Sequence, residues 1–133
     1  MTDQRPRTGG INHVNLVVSD LERSVAFYRA ALGFEESGTG SGITFMSTPG
    51  ADDLLGLQPA GGELDRLAGK ARTPGDSGGI DHIGFAVDSP AMLDLLVRRV
   101  QEHGGTLLWR TDNERGGASA FVTDPDGYVL QLG

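Results

Sequence analysis

The chain states one short pattern twice. Ile11-Asn12-His13-Val14-Asn15-Leu16-Val17-Val18 returns 69 residues later as Ile80-Asp81-His82-Ile83-Gly84-Phe85-Ala86-Val87, with a histidine at the matching place in each copy. Each copy alternates like a strand and is followed by a helix signal and further strand-like runs. Phe45 and Pro49 answer to Phe121 and Pro125, so the correspondence extends through a whole strand–helix–three-strand unit. A chain constrained in this way folds as two like modules, and a repeated candidate ligand suggests a site where copies meet.

In the first copy, strand parity separates Val14, Leu16 and Val18 from His13, Asn15 and Val17. The first set is apolar and belongs against a helix. The second is mixed, as the lining of a wet cavity is. Ser19-Asp20-Leu21-Glu22 opens a helix, with Ser19 as the expected cap and Glu22 placed for a capping box. Leu21, Val25, Tyr28 and Leu32 follow at helical spacing, and Gly33 stops the run. Gly38 to Gly42 reads as a turn, and 43–47 and 53–58 as strands. In the second copy Ser89 caps a helix with Pro90 in its first turn. Gly104-Gly105 ends it, and 107–110, 119–123 and 128–132 are strands.

The boundaries are therefore a first module over about 10–59, a connecting stretch at 60–79 and a second module over about 80–133, within one domain covering 1–133. The connecting stretch holds six glycines and a short helical run from Glu63, and reads as a flexible linker before a lid over a cavity.

A formal charge of −7 argues against nucleic acid or an anionic membrane as partner. No run approaches a membrane span, and no signal peptide is recognisable, so a cytoplasmic setting is expected. With no cysteine, disulfides and thiol nucleophiles are excluded.

Asp20-Leu21-Glu22-Arg23-Ser24-Val25-Ala26-Phe27-Tyr28, Leu32-Gly33-Phe34 and Asp124-Pro125-Asp126-Gly127-Tyr128 resemble the vicinal oxygen chelate superfamily, which holds glyoxalase I, the bleomycin-resistance proteins and the extradiol dioxygenases. The resemblance covers about 11–132. It implies an α+β fold of two βαβββ modules whose mixed sheets curl into a cup with the helices outside. It also implies a homodimer, and metal ligands on the first and last strands of each module. Carried over, those positions are His13, Gly56, His82 and Gln131. The pattern departs at the last strands, where Gly56 and Gln131 stand in place of the usual carboxylates. Neither glyoxalase I activity proper nor extradiol cleavage proper is expected.

His13, His82 and Gln131 form a donor set able to hold a divalent transition metal (Zn, Ni, Co, Fe or Mn) with positions left open. The set is neutral, so the metal's charge is poorly offset. The competing reading is that both histidines are structural. Asn15, Trp109 and Arg110 are the expected substrate contacts: an amide in the cavity, an aromatic for stacking, and a cation for an acidic group. Arg115 is a second candidate cation, and Asp52, Asp53, Asp112 and Glu114 are loop carboxylates able to serve as a base. His103 closes the second helix, where a cation suits the dipole. Two functions follow: a metal-dependent lyase, isomerase or dioxygenase-like enzyme on a small oxygenated substrate, or a metal-free protein that sequesters a drug or metabolite.

Overall fold

The computed structural model describes residues 5–69, 71–112 and 117–133. Glu114 and Arg115 lie outside the described residues.

The first module runs β1 (Val14–Val18), α1 (Leu21–Leu32), β2 (Glu35–Gly40), β3 (Ile43–Ser47) and β4 (Leu55–Pro59). After α2 (Glu63–Ala68), the second runs β5 (Ile83–Phe85), α3 (Pro90–Glu102), β6 (Thr106–Asp112), β7 (Ala118–Thr123) and β8 (Val129–Leu132). The sheets have the same topology, β1-β4-β3-β2 and β5-β8-β7-β6. In each, the first strand lies parallel to the last, and the remaining pairs are antiparallel. The expected pair of βαβββ modules is present. Both sheets are open and mixed, with helices between first and second strands.

Local chemistry accounts for most boundaries. Asp20, not Ser19, caps α1: its carboxylate accepts the N–H of Arg23 at 3.0 Å. Ser19 is turned away and donates its hydroxyl to Asp126 at 2.6 Å. Gly33 ends α1 in the left-handed region, with φ 76°. Ser89 caps α3 by accepting from Met92, and His103 closes it, both as the residue pattern indicates.

Two further expectations need correction. Gly38 to Gly40 are not turn but part of β2, an exposed edge strand bulged between Glu36 and Gly38. An edge strand can carry residues with little side chain, because only one side of it must pair. The reversal is confined to Ser41 and Gly42, both with positive φ, as a tight hairpin turn requires. The first strands of each module are also shorter than the apolar runs suggest. His13 and His82 each sit one residue before their strand.

A single apolar core serves both modules. Leu16, Val18, Phe27, Tyr28, Met46 and Leu57 from the first pack with Leu93, Val97, Val100, Val122, Leu130 and Leu132 from the second. The helices α1 and α3 lie against one another within it. Truncating a fully buried leucine such as Leu130 to alanine removes roughly 2–5 kcal/mol, so the core binds the modules together energetically. It occupies the helix side of both sheets and leaves the opposite faces for the site. No helix among the described residues is long and apolar enough to cross a membrane.

Candidate functional site

Signature residues near the two ends of the fold clasp each other. Tyr28 on α1 donates its hydroxyl to Asp124 Oδ2 at 2.7 Å, and Asp124 Oδ1 accepts the N–H groups of Asp126 and Tyr128 at 3.0 Å each. Asp126 accepts from Ser19 and from the Arg23 guanidinium at 3.2 Å. Tyr128 donates to the Val17 carbonyl at 2.7 Å. Burial first, and the Asp124 charge second, push the Tyr28 hydroxyl well above its ordinary pKa. Burial also raises the Asp124 carboxyl, against the lowering effect of the hydrogen bonds it accepts from Tyr28, Tyr128 and Asp126. These groups pin the loop after β7 to α1 and β1, a task of architecture.

The candidate donors lie on the other face. In the second module His82 Nδ1 faces Asp81 Oδ1 at 2.6 Å, and its Nε2 faces Gln131 Oε1 at 2.9 Å. Gln131 in turn donates Nε2 to Ser119 Oγ at 3.3 Å, and Ser119 is buried. With Nδ1 donating to Asp81, the neutral imidazole presents a lone pair at Nε2, and Oε1 presents lone pairs towards it. A proton on His82 or a metal ion between the two atoms satisfies that juxtaposition. Donors 2.9 Å apart suit neighbouring ligands on one ion, each at about 2.0–2.2 Å. The carboxylate on the far nitrogen is the outer contact that fixes a ligating histidine's tautomer. His82 and Gln131 therefore fit a divalent ion. Turning the Gln131 amide over gives a neutral pair without one, since Nε2 then donates to the imidazole and Ser119 to Oε1.

Phe121, the register partner of Gln131, meets the His82 ring edge-on with centroids 5.3 Å apart. Trp109 stacks on Phe121 at 4.4 Å and 16° and remains 52% exposed. Arg110 goes the other way and donates to Asp94 on α3 at 2.8 Å. It is thereby placed on the helix side, apart from the tryptophan.

The first module repeats part of this arrangement. His13 Nδ1 contacts Asn12 Oδ1, and its ring meets Phe45 edge-on at 5.9 Å. Phe45 pairs in register with Gly56 as Phe121 does with Gln131, so 56 and 131 are equivalent positions. Asn15 donates Nδ2 to Gln58 Oε1 at 3.2 Å, while its Oδ1 is buried without a partner.

The single chain brings His82 and Gln131 together, but not His13 with them. His13 lines a cavity of about 350 Å³ with Asp52, Asp53 and Phe34. His82 lines another of about 630 Å³ with Asn15, Val17, Arg72 and Tyr128. Val14 and Ile83 line both. Residues 71–73 and 76–78 wall the larger cavity, so part of the connecting stretch belongs to its lining. Asp53 accepts the N–H of Thr48 at 2.7 Å. Among the described residues, no group of three or more His, Cys, Asp or Glu is placed to hold a metal.

Sequence reasoning missed Ser119 and Asp81 as parts of the site and used Phe121 only as a marker of the repeat. Two signals were present. Ser119 and Phe121 share a strand face, and Asp81 precedes the second histidine as Asn12 precedes the first.

Known proteins share this fold. The chain is 34% identical to an uncharacterized protein of Pseudomonas aeruginosa, covering 92% of this chain and 86% of that one. It is 30% identical to a lactoylglutathione lyase of Salmonella typhimurium, covering 90% and 88%. In three dimensions it matches a crystal structure of a glyoxalase-related enzyme from Fulvimarina pelagi with a TM-score of 0.78, at 24% identity over 94% of this chain and 87% of the other. A family model described as Glyoxalase/Bleomycin resistance protein/Dioxygenase superfamily matches residues 10–132, nearly the whole duplicated span, and the chain belongs to that superfamily.

Proposed function

We propose that this protein is a divalent-metal-dependent enzyme acting on a small oxygenated substrate, in the lyase, isomerase or dioxygenase-like range of its superfamily. The observation that carries the reading is the facing of His82 Nε2 and Gln131 Oε1 at 2.9 Å, with Asp81 on the far side of the imidazole. A bound ion supplies Lewis-acid polarisation of a substrate carbonyl or enolate oxygen. His82 and Gln131 are its ligands from one half of the duplication, and Asp81 and Ser119 orient them.

Phe121 and Trp109 offer an apolar, stacking wall for the rest of the substrate. Asp52 lines the His13 cavity and is the loop carboxylate available as a base. His13 completes the donor set from a second copy of the chain, because within one chain it opens into a different cavity from His82. The exposure of Ile11 at 92% and Ile80 at 63%, equivalent residues two positions before the histidines, supports a homodimer that covers them.

The second reading, a metal-free protein that sequesters a drug or metabolite, is favoured by one observation. Half of Trp109 is open above its stack on Phe121, in a chain of charge −7 that attracts cations. Metal content by mass spectrometry on tag-free protein, beside a His13→Ala/His82→Ala variant, separates the two. Near-stoichiometric transition metal that the variant lacks is the expected result. Protein that takes up no Zn, Ni, Co, Fe or Mn when each is offered overturns the metal reading and leaves sequestration.

A further inference from the structure

Cations are scarce where a ligand would enter. Among the described residues lining the two cavities, Arg72 is the only arginine or lysine, and it shares the larger one with His82. Three other arginines are already held by carboxylates: Arg23 by Asp126 at 3.2 Å, Arg29 by Glu36 at 2.6 Å and Arg110 by Asp94 at 2.8 Å.

Arg72 is placed differently. Its backbone is fixed, because Asp65 Oδ2 on α2 accepts the Arg72 N–H at 3.4 Å and that of Gly61 at 2.7 Å. Three residues on, Gly75 gives its N–H to the Tyr128 hydroxyl. The guanidinium is left freer. Its Nε lies 3.9 Å from Asp65 Oδ1, beyond hydrogen-bonding distance, and both atoms are buried without a partner. A buried carboxylate needs a cation nearby, which accounts for Arg72 standing beside Asp65. It does not account for a side chain 37% exposed in the cavity wall, with its donor fork unused among the described residues.

The remaining lining limits the kind of anion. Val14, Leu16, Val17, Ile80, Ile83 and Val129 form an apolar wall. Asp76 and Asp81 are exposed lining residues, engaged with the Gly78 N–H and with His82. With Asp65 beside the guanidinium and these two carboxylates on the same cavity, a multiply charged anion is repelled. A single carboxylate matches the planar fork through two parallel hydrogen bonds.

We propose, resting on the reading above that this cavity receives a small molecule but not on its metal, that Arg72 anchors the acid end of that molecule, a monocarboxylate with an apolar body. The connecting stretch then supplies the residue that selects the ligand, and the strands supply the apolar wall beside it.

The test titrates the full, tag-free chain with 4-phenylbutyrate and with 4-phenylbutan-1-ol, which has the same body and no charge. Proton–nitrogen NMR spectra give both affinities and report the arginine Nε–H signals. The carboxylate is expected to bind at least about tenfold more tightly and to shift the Arg72 Nε–H signal. Arg72→Met is expected to erase the difference between the two compounds, and Arg72→Lys to keep part of it. Asp65→Asn removes the competing charge and is expected to tighten carboxylate binding, a change opposite in sign to that of Arg72→Met. A purely structural role for the pair moves both variants in one direction. Where Arg72→Met does not fold, because Asp65 is left buried without its cation, Asp65→Asn/Arg72→Met decides.

Equal binding of the two compounds, binding of neither, or an undiminished preference in folded Arg72→Met overturns the anchor and leaves metal content to judge the metal reading separately. The same titrations after EDTA treatment separate the two ideas. A preference for the carboxylate that survives EDTA supports the anchor. One that vanishes with EDTA puts the carboxylate on the ion, which overturns the anchor and supports the metal reading.

Discussion

The Tyr28 hydroxyl on α1 and the Asp124 carboxylate just after β7, 96 residues apart, form a 2.7 Å hydrogen bond in the shared interior of the two modules. Both belong to the sequence signatures by which the superfamily is recognised, and neither faces the His82–Gln131 pair. Those signatures therefore mark how the duplicated halves are held together, and they are silent about the reaction.

Removal of the hydroxyl tests that assignment. Tyr28→Phe leaves Asp124 Oδ2 without the donor it now has, and the expected loss is about 1–3 kcal/mol of folding stability. Urea unfolding measures it. Metal or ligand binding by the folded variant is expected to be unchanged, because the bond lies on the helix side.

The same pair sets a pH dependence. Burial raises the folded Asp124 carboxyl above its unfolded value, so its contribution is fully present below the unfolded pKa and is lost as pH rises through the folded one. Asp124→Asn is expected to abolish that decline, seen as a stability difference between variant and parent that changes with pH across the acid range. Tyr28 behaves alike at the alkaline end, losing its contribution as pH rises above 10 through its raised folded value. Burial raises Tyr128 too, and these are the chain's two tyrosines. Absorbance titration of the native protein should therefore show little tyrosinate at pH 10. A normal phenolic titration of the folded chain contradicts this.

Ser119 is expected to matter without touching a ligand. Ser119→Ala frees the Gln131 amide to turn, and the loss of such an outer contact costs about 10–100-fold in metal affinity. The fold should survive, since the change removes one hydroxyl. Unaltered affinity in a folded Ser119→Ala variant shows that Gln131 is oriented by something else.

Gly75 probes the connecting stretch. Its φ is +85°, and a Cβ there meets the carbonyl oxygen of Asp126. Gly75→Ala is expected to destabilise by about 1–3 kcal/mol, visible as a lowered melting temperature. A neutral result means that residues near 75 do not rest on the β7–β8 loop.

Much of the architecture was legible because the chain repeats itself. Each copy carries its own cap and stop signals, and Ser89, Pro90 and Gly33 stand where the pattern puts them. The edge strand β2 was obscured by Gly38 and Gly40, since glycine marks both turns and strands that need little packing. The choice of Asp20 over Ser19 as cap turned on Asp126, a residue 107 positions from Ser19, and no local rule contains it. Parity put His13, His82 and Gln131 off the core, and all three lie outside it. Adjacent residues on a strand face opposite ways, and Trp109 stacks on Phe121 while Arg110 pairs with Asp94 on α3, so the expectation that both contact one substrate does not fit. That Asn15 Oδ1 fills the space beside Gly56 was out of reach, because it depends on the register between strands 41 residues apart in the chain.

Placing one apolar core on the helix side of both sheets has a consequence for how such a molecule can change. Stability and reactivity are written on opposite surfaces of the same strands. A Cβ at position 84 meets nothing within 4 Å, and position 131 lies off the core, whereas a Cβ at 56 runs into Asn15 and Ile43. Change at 84 and 131 is thus cheap and change at 56 is not, and a scaffold of this kind can alter its open face without first having to acquire a new fold.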